Sequence, residues 1–165
     1  MTIWLGRDAA QVIIEQANTF FPLETGGVLL GWRDGEDRVV VDIVGAGPKA
    51  LHGRHTFIPD HSWQVEQIDE AFRNTAGDLD YLGDWHSHPA GVAAMSSEDR
   101  STLRRISRRV RHPIMVIAAG RNANWTFGGW MQLRPRLLRR SVAECQPIQY
   151  FAVPSEWPRA PISAE

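Results

Sequence analysis

The stretch Gly83–Arg100, "GDWHSHPAGVAAMSSEDR", decides how the rest of the chain is read. His86 and His88 stand two residues apart, seven residues separate His88 from Ser96, and Asp99 follows Ser96 by three. The run leading into it, "DYLGDWHSHP", reads as a strand that passes into a loop at Pro89. Side chains alternate faces along a strand, so His86 and His88 point to one side, and Trp85 faces away from them into the core. Two imidazoles held that way form a chelating pair for a borderline ion such as zinc, which in catalytic sites takes three protein ligands and keeps one position open. Asp99, returning from the first turn of the next helix, is the candidate third ligand. A plainer role competes for the same residues. Ser-x-x-Asp ahead of an amphipathic helix resembles a capping box, with Ser96 as cap and Asp99 reaching back. Spacing alone favours the cap, and both roles draw on one carboxylate.

Downstream, a helix from about Ser97 places Leu103, Ile106 and Val110 on its buried face and stops at Pro113. "PIMVIAAG" (113–120) suits a central strand, while "NWTFGGWMQLRP" (124–135) and "LLRRSVAE" (137–144) are candidate final strands. From Gln146 onward, four prolines and weak periodicity indicate a tail or docked arm. Upstream, residues 8–21 read as a helix with Ile13, Ala17, Phe20 and Phe21 on one face, Asp8 as its cap and Pro22 as its stop. "GGVLLGWRDGEDRVVVDIVG" (26–45) reads as a hairpin turning at Asp34-Gly35. "RHTFIPD" (54–60) is a further strand. Asp60 then caps a helix that buries Val65, Ile68 and Phe72 and ends at Gly77. The expected architecture is α/β: one mixed central sheet flanked by about three helices, a single domain over residues 1–145, with 146–165 appended.

At 165 residues the chain is expected to bury one core. A net charge of −1 gives no mandate for nucleic acid or an anionic membrane. The opening "MTIWLGRDAA" lacks an apolar signal core, and no run approaches a membrane span, so a soluble cytoplasmic protein is expected. Cys145 is the only cysteine, which excludes an intrachain disulfide, a cysteine-based zinc knuckle and the Cys-x-x-Cys pair of a zinc deaminase. His52, His55, His61 and His112 have no partner at ligand spacing and read as structural or exposed. Asp84 and Glu98 read as surface or supporting groups. Lys49 is the only lysine against seventeen arginines. Six of the arginines fall between Arg100 and Arg111, where a solvated helix face is the favoured reading and an acidic partner surface the alternative.

Taken together, "HSHP" and "SSED" resemble the signature of the JAMM/MPN+ (JAB domain) metallopeptidases, in which His-x-His-Pro is followed by Ser-x-x-Asp at this spacing. That family also carries a glutamate on the strand after its first helix, and "PLETGGVLLGW" (22–32) places Glu24 there. The resemblance runs from Met1 to about Leu133. It implies that His86, His88 and Asp99 bind one zinc, that Glu24 serves as general base and then general acid, and that Ser96 donates a hydrogen bond to the tetrahedral oxyanion.

The phrases "LETGGVLLGW", "GAGPKALHGRHTFIPD" and "YLGDWHSHP" are similar to a bacterial branch found beside activating-like and conjugating-like enzymes in antiphage operons, including CBASS and ubiquitin-like conjugation systems. The activity this implies is removal of a conjugated protein, or trimming of a ubiquitin-like modifier's C-terminal tail. Such a tail would add as a strand to a sheet edge, with Gly26 and Gly27 either admitting its backbone or serving local packing. Three rivals stand beside this reading. They are a peptidase of the same family with another substrate, a non-catalytic modifier-binding scaffold, and a DNA-repair relative with a similar His-x-His motif. The intact residue set opposes the scaffold, and the near-neutral charge opposes the DNA-repair relative.

Overall fold

The computed structural model describes residues 1–122, 124–133 and 142–159. Ten strands and three helices are formed by these residues. In chain order they are β1 (Ile3–Gly6), α1 (Arg7–Phe20), β2 (Gly26–Asp34), β3 (Asp37–Val44), β4 (Leu51–His52), β5 (Phe57–Ile58), α2 (His61–Asn74), β6 (Asp80–Pro89), α3 (Ser97–Ile106), β7 (Ile114–Arg121), β8 (Asn124–Leu133), β9 (Val142–Gln146) and β10 (Ile148–Phe151). Eight strands make one mixed sheet in the order β10-β1-β3-β2-β6-β7-β8-β9, and β4 and β5 form a small separate hairpin. This is the α/β architecture with three helices and one mixed sheet that the sequence implies. No described helix is long and apolar enough to cross a membrane.

Strand alternation divides the core. On one face Ile3, Leu5, Leu29, Val40, Leu82, Trp85, Ile114 and Val116 pack with Ala9, Ala10 and Ile13 of α1. On the other, Val28, Leu30, Val39 and Val41 meet Ala71 of α2, and Met115 and Ile117 meet Leu103 of α3. Trp85 is 1% exposed and lies in the α1 core, as its parity on the strand requires. β6 is central, antiparallel to β2 and parallel to β7. Its C-terminal end, where the histidines stand, lies in mid-sheet and faces a cleft also lined by residues of α2 and α3.

Several expectations are corrected. The cap of α1 is Gly6, and Asp8 sits in the first turn, where its charge still suits the positive helix end. Phe20 is half-buried and Phe21 exposed, because α1 turns its small residues to the sheet. Asp60 does cap α2, its carboxylate accepting from the Trp63 N–H. The buried face of α2, however, is shifted by one residue. Val65 and Phe72 are 40% and 47% exposed, whereas Gln64 and Ala71 are buried. Gln64 holds its core position by donating from Nε2 to the Gly45 carbonyl at 2.8 Å, and Ala71 allows close approach to the sheet. α3 ends at Ile106, with Ile106 and Val110 only half-buried.

β1 and β10 were not anticipated from the sequence. They pair in parallel, Ile3 opposite Ile148 through Gly6 opposite Phe151. Beyond β10, Trp157 packs edge-on against Trp32, with ring centroids 4.9 Å apart. Of the expected strand at 137–144, residues 137–141 lie outside the described residues and Val142–Glu144 belong to β9.

Candidate metal centre

Two ladders and a loop bring the chemistry together. Gly26 pairs with His86, and the antiparallel register continues one step beyond the strand. The Ser87 N–H donates to the Thr25 carbonyl at 2.8 Å, and the Ser87 hydroxyl accepts from the Thr25 N–H at 3.0 Å. Glu24 is thereby delivered to the level of His88. Past Pro89 the chain folds back through Ala90, whose N–H donates to the Gly120 carbonyl at 2.7 Å, and is anchored by buried Met95 before α3 begins.

His86 and His88 point to the same side, and their Nε2 atoms are 2.9 Å apart. The Nδ1 of His88 lies 3.1 Å from the Val92 carbonyl, which can only accept. That contact puts the proton on Nδ1 and leaves Nε2 as a lone-pair donor. Asp99 approaches both rings, with Oδ1 3.2 Å from His86 Nε2 and Oδ2 3.7 Å from His88 Nε2. One ligand atom from each of the three side chains falls within 4.8 Å of the others, with Asp99 buried and the histidines half-buried.

The competition for Asp99 resolves into a division of its atoms. Both halves of the capping box are formed. The Asp99 N–H donates to Ser96 Oγ at 3.1 Å, and Asp99 Oδ2 accepts from the Ser96 N–H at 2.6 Å. Oδ1 is left facing His86. Burial pushes the Asp99 carboxyl up, but the His86 contact and charge and the Ser96 hydrogen bonds outweigh it, holding the group well below the usual carboxylate range. The carboxylate is thus ionised before any cation arrives.

The donor set fits zinc. It comprises two imidazole nitrogens and one carboxylate, and the 2.9 Å between the two Nε2 atoms and the 3.2 Å from His86 Nε2 to Asp99 Oδ1 lie close to the ~3.3 Å edge that a tetrahedron with bonds of roughly 2.0–2.1 Å would have.

Glu24 is half-buried and is held by its backbone. Its N–H donates to the Gly53 carbonyl at 2.7 Å, and its carbonyl accepts from His52 Nδ1 at 3.0 Å. His52 is itself stacked on Phe20, ring centroids 3.8 Å apart. Burial raises the Glu24 carboxyl above its ordinary pKa, opposed by His88 and His86 and reinforced by Asp99. Sequence spacing gave no signal for His52, because its partner is a backbone carbonyl 28 positions away. Asp84, on the same strand face as His86, is half-buried and accepts a 2.6 Å hydrogen bond from the Tyr81 hydroxyl, so it is a supporting group and not a surface one. Burial pushes its carboxyl up. The space beside Gly26 and Gly27 is filled by the protein itself. A Cβ at Gly26 would meet the Trp85 carbonyl at 2.6 Å and Phe57 at 2.7 Å, and one at Gly27 would collide with the Val44 carbonyl. Packing accounts for both glycines.

Glu24, His86, His88, Ser96 and Asp99 all line one cleft of about 1440 Å³, walled by α2, the β4–β5 hairpin and α3. A family described as prokaryotic homologs of the JAB domain matches residues 6–128. The chain belongs to the JAB family. Its enzyme class is that of the metallopeptidases and isopeptidases. A probable metalloprotease of Sinorhizobium fredii is 34% identical over 82% of this JAB chain and 87% of its own length. A CD-NTase/cGAS isopeptidase of Vibrio cholerae is 37% identical over 50% of this chain and 53% of its own. Another, from Escherichia coli, is 27% identical over 62% and 65%. The solution structure of a Desulfitobacterium hafniense protein superposes with a TM-score of 0.68 at 20% identity, covering 93% of the JAB chain and 94% of that one, which is a likeness of fold.

Proposed function

We propose that this chain is a zinc-dependent isopeptidase that cleaves after the C-terminus of a bacterial ubiquitin-like modifier, releasing a conjugated protein or trimming a precursor. The observation that carries this reading is the convergence of His86, His88 and Asp99 within 4.8 Å in the cleft that Glu24 also lines. The two histidines and Asp99 would hold the ion. When bound, zinc supplies Lewis acidity, acidifying water and polarising the scissile carbonyl. Glu24, its proton affinity raised by burial, takes the proton of the attacking water and returns it to the departing amine. Ser96 uses an oxygen lone pair to accept from the Asp99 N–H, so its hydroxyl proton is left to donate to the developing oxyanion.

The isopeptidase relatives support a conjugated-protein substrate, and activating-like and conjugating-like enzymes of an antiphage operon are the partners this reading names. The extended modifier tail would enter the cleft beside the β4–β5 hairpin, whose short strands offer an edge for backbone pairing. The better-covered relative is named only as a metalloprotease, which favours an unbranched peptide bond as the second reading.

The test is cleavage of a ubiquitin-like modifier fused through its C-terminus to a reporter, with an isopeptide-linked version alongside. Zinc-loaded protein is expected to cut after the modifier's last residue, to stop on chelation and to recover on adding zinc. Intact fusions in the presence of loaded protein would contradict the proposal. Ser96→Ala is expected to lower turnover by about 10²–10³-fold and stability by about 1 kcal/mol. A variant that loses only the stability would leave Ser96 as a helix cap.

A further inference from the structure

One wall of the cleft carries charge that the hydrolytic residues do not use. α3 and the turn after it place Arg105, Arg108 and Arg109 along the cleft, all three exposed, and Arg54 lines it from the hairpin. None of the three wall arginines pairs with a carboxylate among the described residues. Residues 100–111 contain no acid, so none of the three arginines has a carboxylate three or four positions away in sequence. Three like charges thus share one wall of the cleft, where a bound anion would offset them. Apolar side chains share this concave surface. Ile58 and Val65 are 53% and 40% exposed, and half-buried Ile106 and Val110 lie among the arginines.

We propose that this wall docks an acidic segment of the protein substrate, its carboxylates held by Arg105, Arg108 and Arg109 and its apolar residues seated on Ile58 and Val65. This rests on the peptidase reading of the cleft and adds the charge character of what the cleft accepts. Arginine suits the role because its planar fork meets a carboxylate through two parallel hydrogen bonds. A polypeptide fits better than a nucleic acid. Asp69, Asp84 and Glu98 line the same cleft, and a continuous phosphate backbone would be set against them, whereas a peptide carries its charges at chosen positions. Exposed isoleucine and valine gain nothing from phosphate.

The experiment is fluorescence anisotropy with the full zinc-loaded chain and labelled synthetic peptides of matched length. The peptides share apolar residues and differ in carrying Glu, Gln or Lys, and a single-stranded DNA of equal net charge is titrated alongside. The Glu peptide is expected to bind about tenfold tighter than the Lys peptide at low ionic strength, three exposed pairs each contributing a few-fold, with the gap narrowing as salt is added. R105E/R108E/R109E should invert that order, and R105Q/R108Q/R109Q should abolish it. The glutamine variant keeps the test decisive should the glutamate variant melt early. Equal affinity for the Glu and Lys peptides, a preference that persists in the glutamine variant, or tighter binding of the DNA than of the Glu peptide would each overturn the proposal. Binding is read without turnover, so the two readings separate. A chain that prefers the Glu peptide yet leaves every fusion intact supports the docking wall and counts against the peptidase alone. A chain that cleaves fusions without charge preference overturns the docking wall alone.

Discussion

Glu24→Ala is expected to lose cleavage of a modifier fusion by about 10²–10⁴-fold, the scale of a single general acid–base group, while retaining about one zinc per chain. The two readouts part because the proposed ligands lie on β6 and α3, whereas Glu24 precedes β2 and is fixed through its backbone to Gly53 and His52. Removing the carboxylate leaves those backbone bonds and the packing beneath them intact. It takes away the one group in the proposed mechanism that moves a proton from water to amine. Zinc stoichiometry and single-turnover cleavage, measured on the same preparation, check the claim. A zinc-loaded variant with substantial activity would pass the role of base to another carboxylate in the cleft, Asp84 or Glu98.

The second large effect concerns Asp99, where two substitutions separate its two tasks. Asp99→Asn keeps an oxygen to accept from the Ser96 N–H and so keeps the start of α3, but it removes the charge facing the histidines. Zinc affinity is expected to fall by at least the ~10–100-fold typical of losing even an outer-shell partner, with the metal-free melting point close to that of the parent. Asp99→Ala loses the same affinity and also the cap, a further loss of about 1 kcal/mol in the metal-free protein. Zinc competition titrations and urea denaturation read the two effects independently. Parental zinc affinity in Asp99→Asn would return this residue to capping alone.

What sequence could reveal followed from how local each determinant is. The alternation of β6 and the His-x-His pair are read directly, because strand parity needs no knowledge of the fold. The double use of Asp99 was not readable. Which oxygen faces Ser96 and which faces His86 depends on the angle at which α3 returns to β6, and spacing presents the two roles as rivals. The buried face of α2 was misplaced for a different reason. Gln64 is polar, and only the Gly45 carbonyl across the core makes its burial favourable. β1 and β10 are four residues each, too short for periodicity, and exist because each pairs with a strand far away in sequence. The arginines after Ser97 were legible as a charge run, but their place beside the ligand cluster was not.

The attachment of Glu24 has a consequence for how substrates are sorted. Both of its backbone groups are tied to the β4 end of the small hairpin and not to the eight-stranded sheet. A two-stranded hairpin has little stability of its own, so one side of the Glu24 attachment depends on a small element. The next residue, Thr25, is bonded to Ser87 of β6, and the hairpin is also a wall of the cleft in which substrate would rest. A well-fitting chain would brace the hairpin and steady the carboxylate, whereas an ill-fitting one would leave it loose even when bound. Small errors in the aim of a reacting group are costly in rate. Discrimination between good and poor substrates is then expected in kcat more than in KM, with the hairpin acting as a gauge that reads fit and reports it as speed.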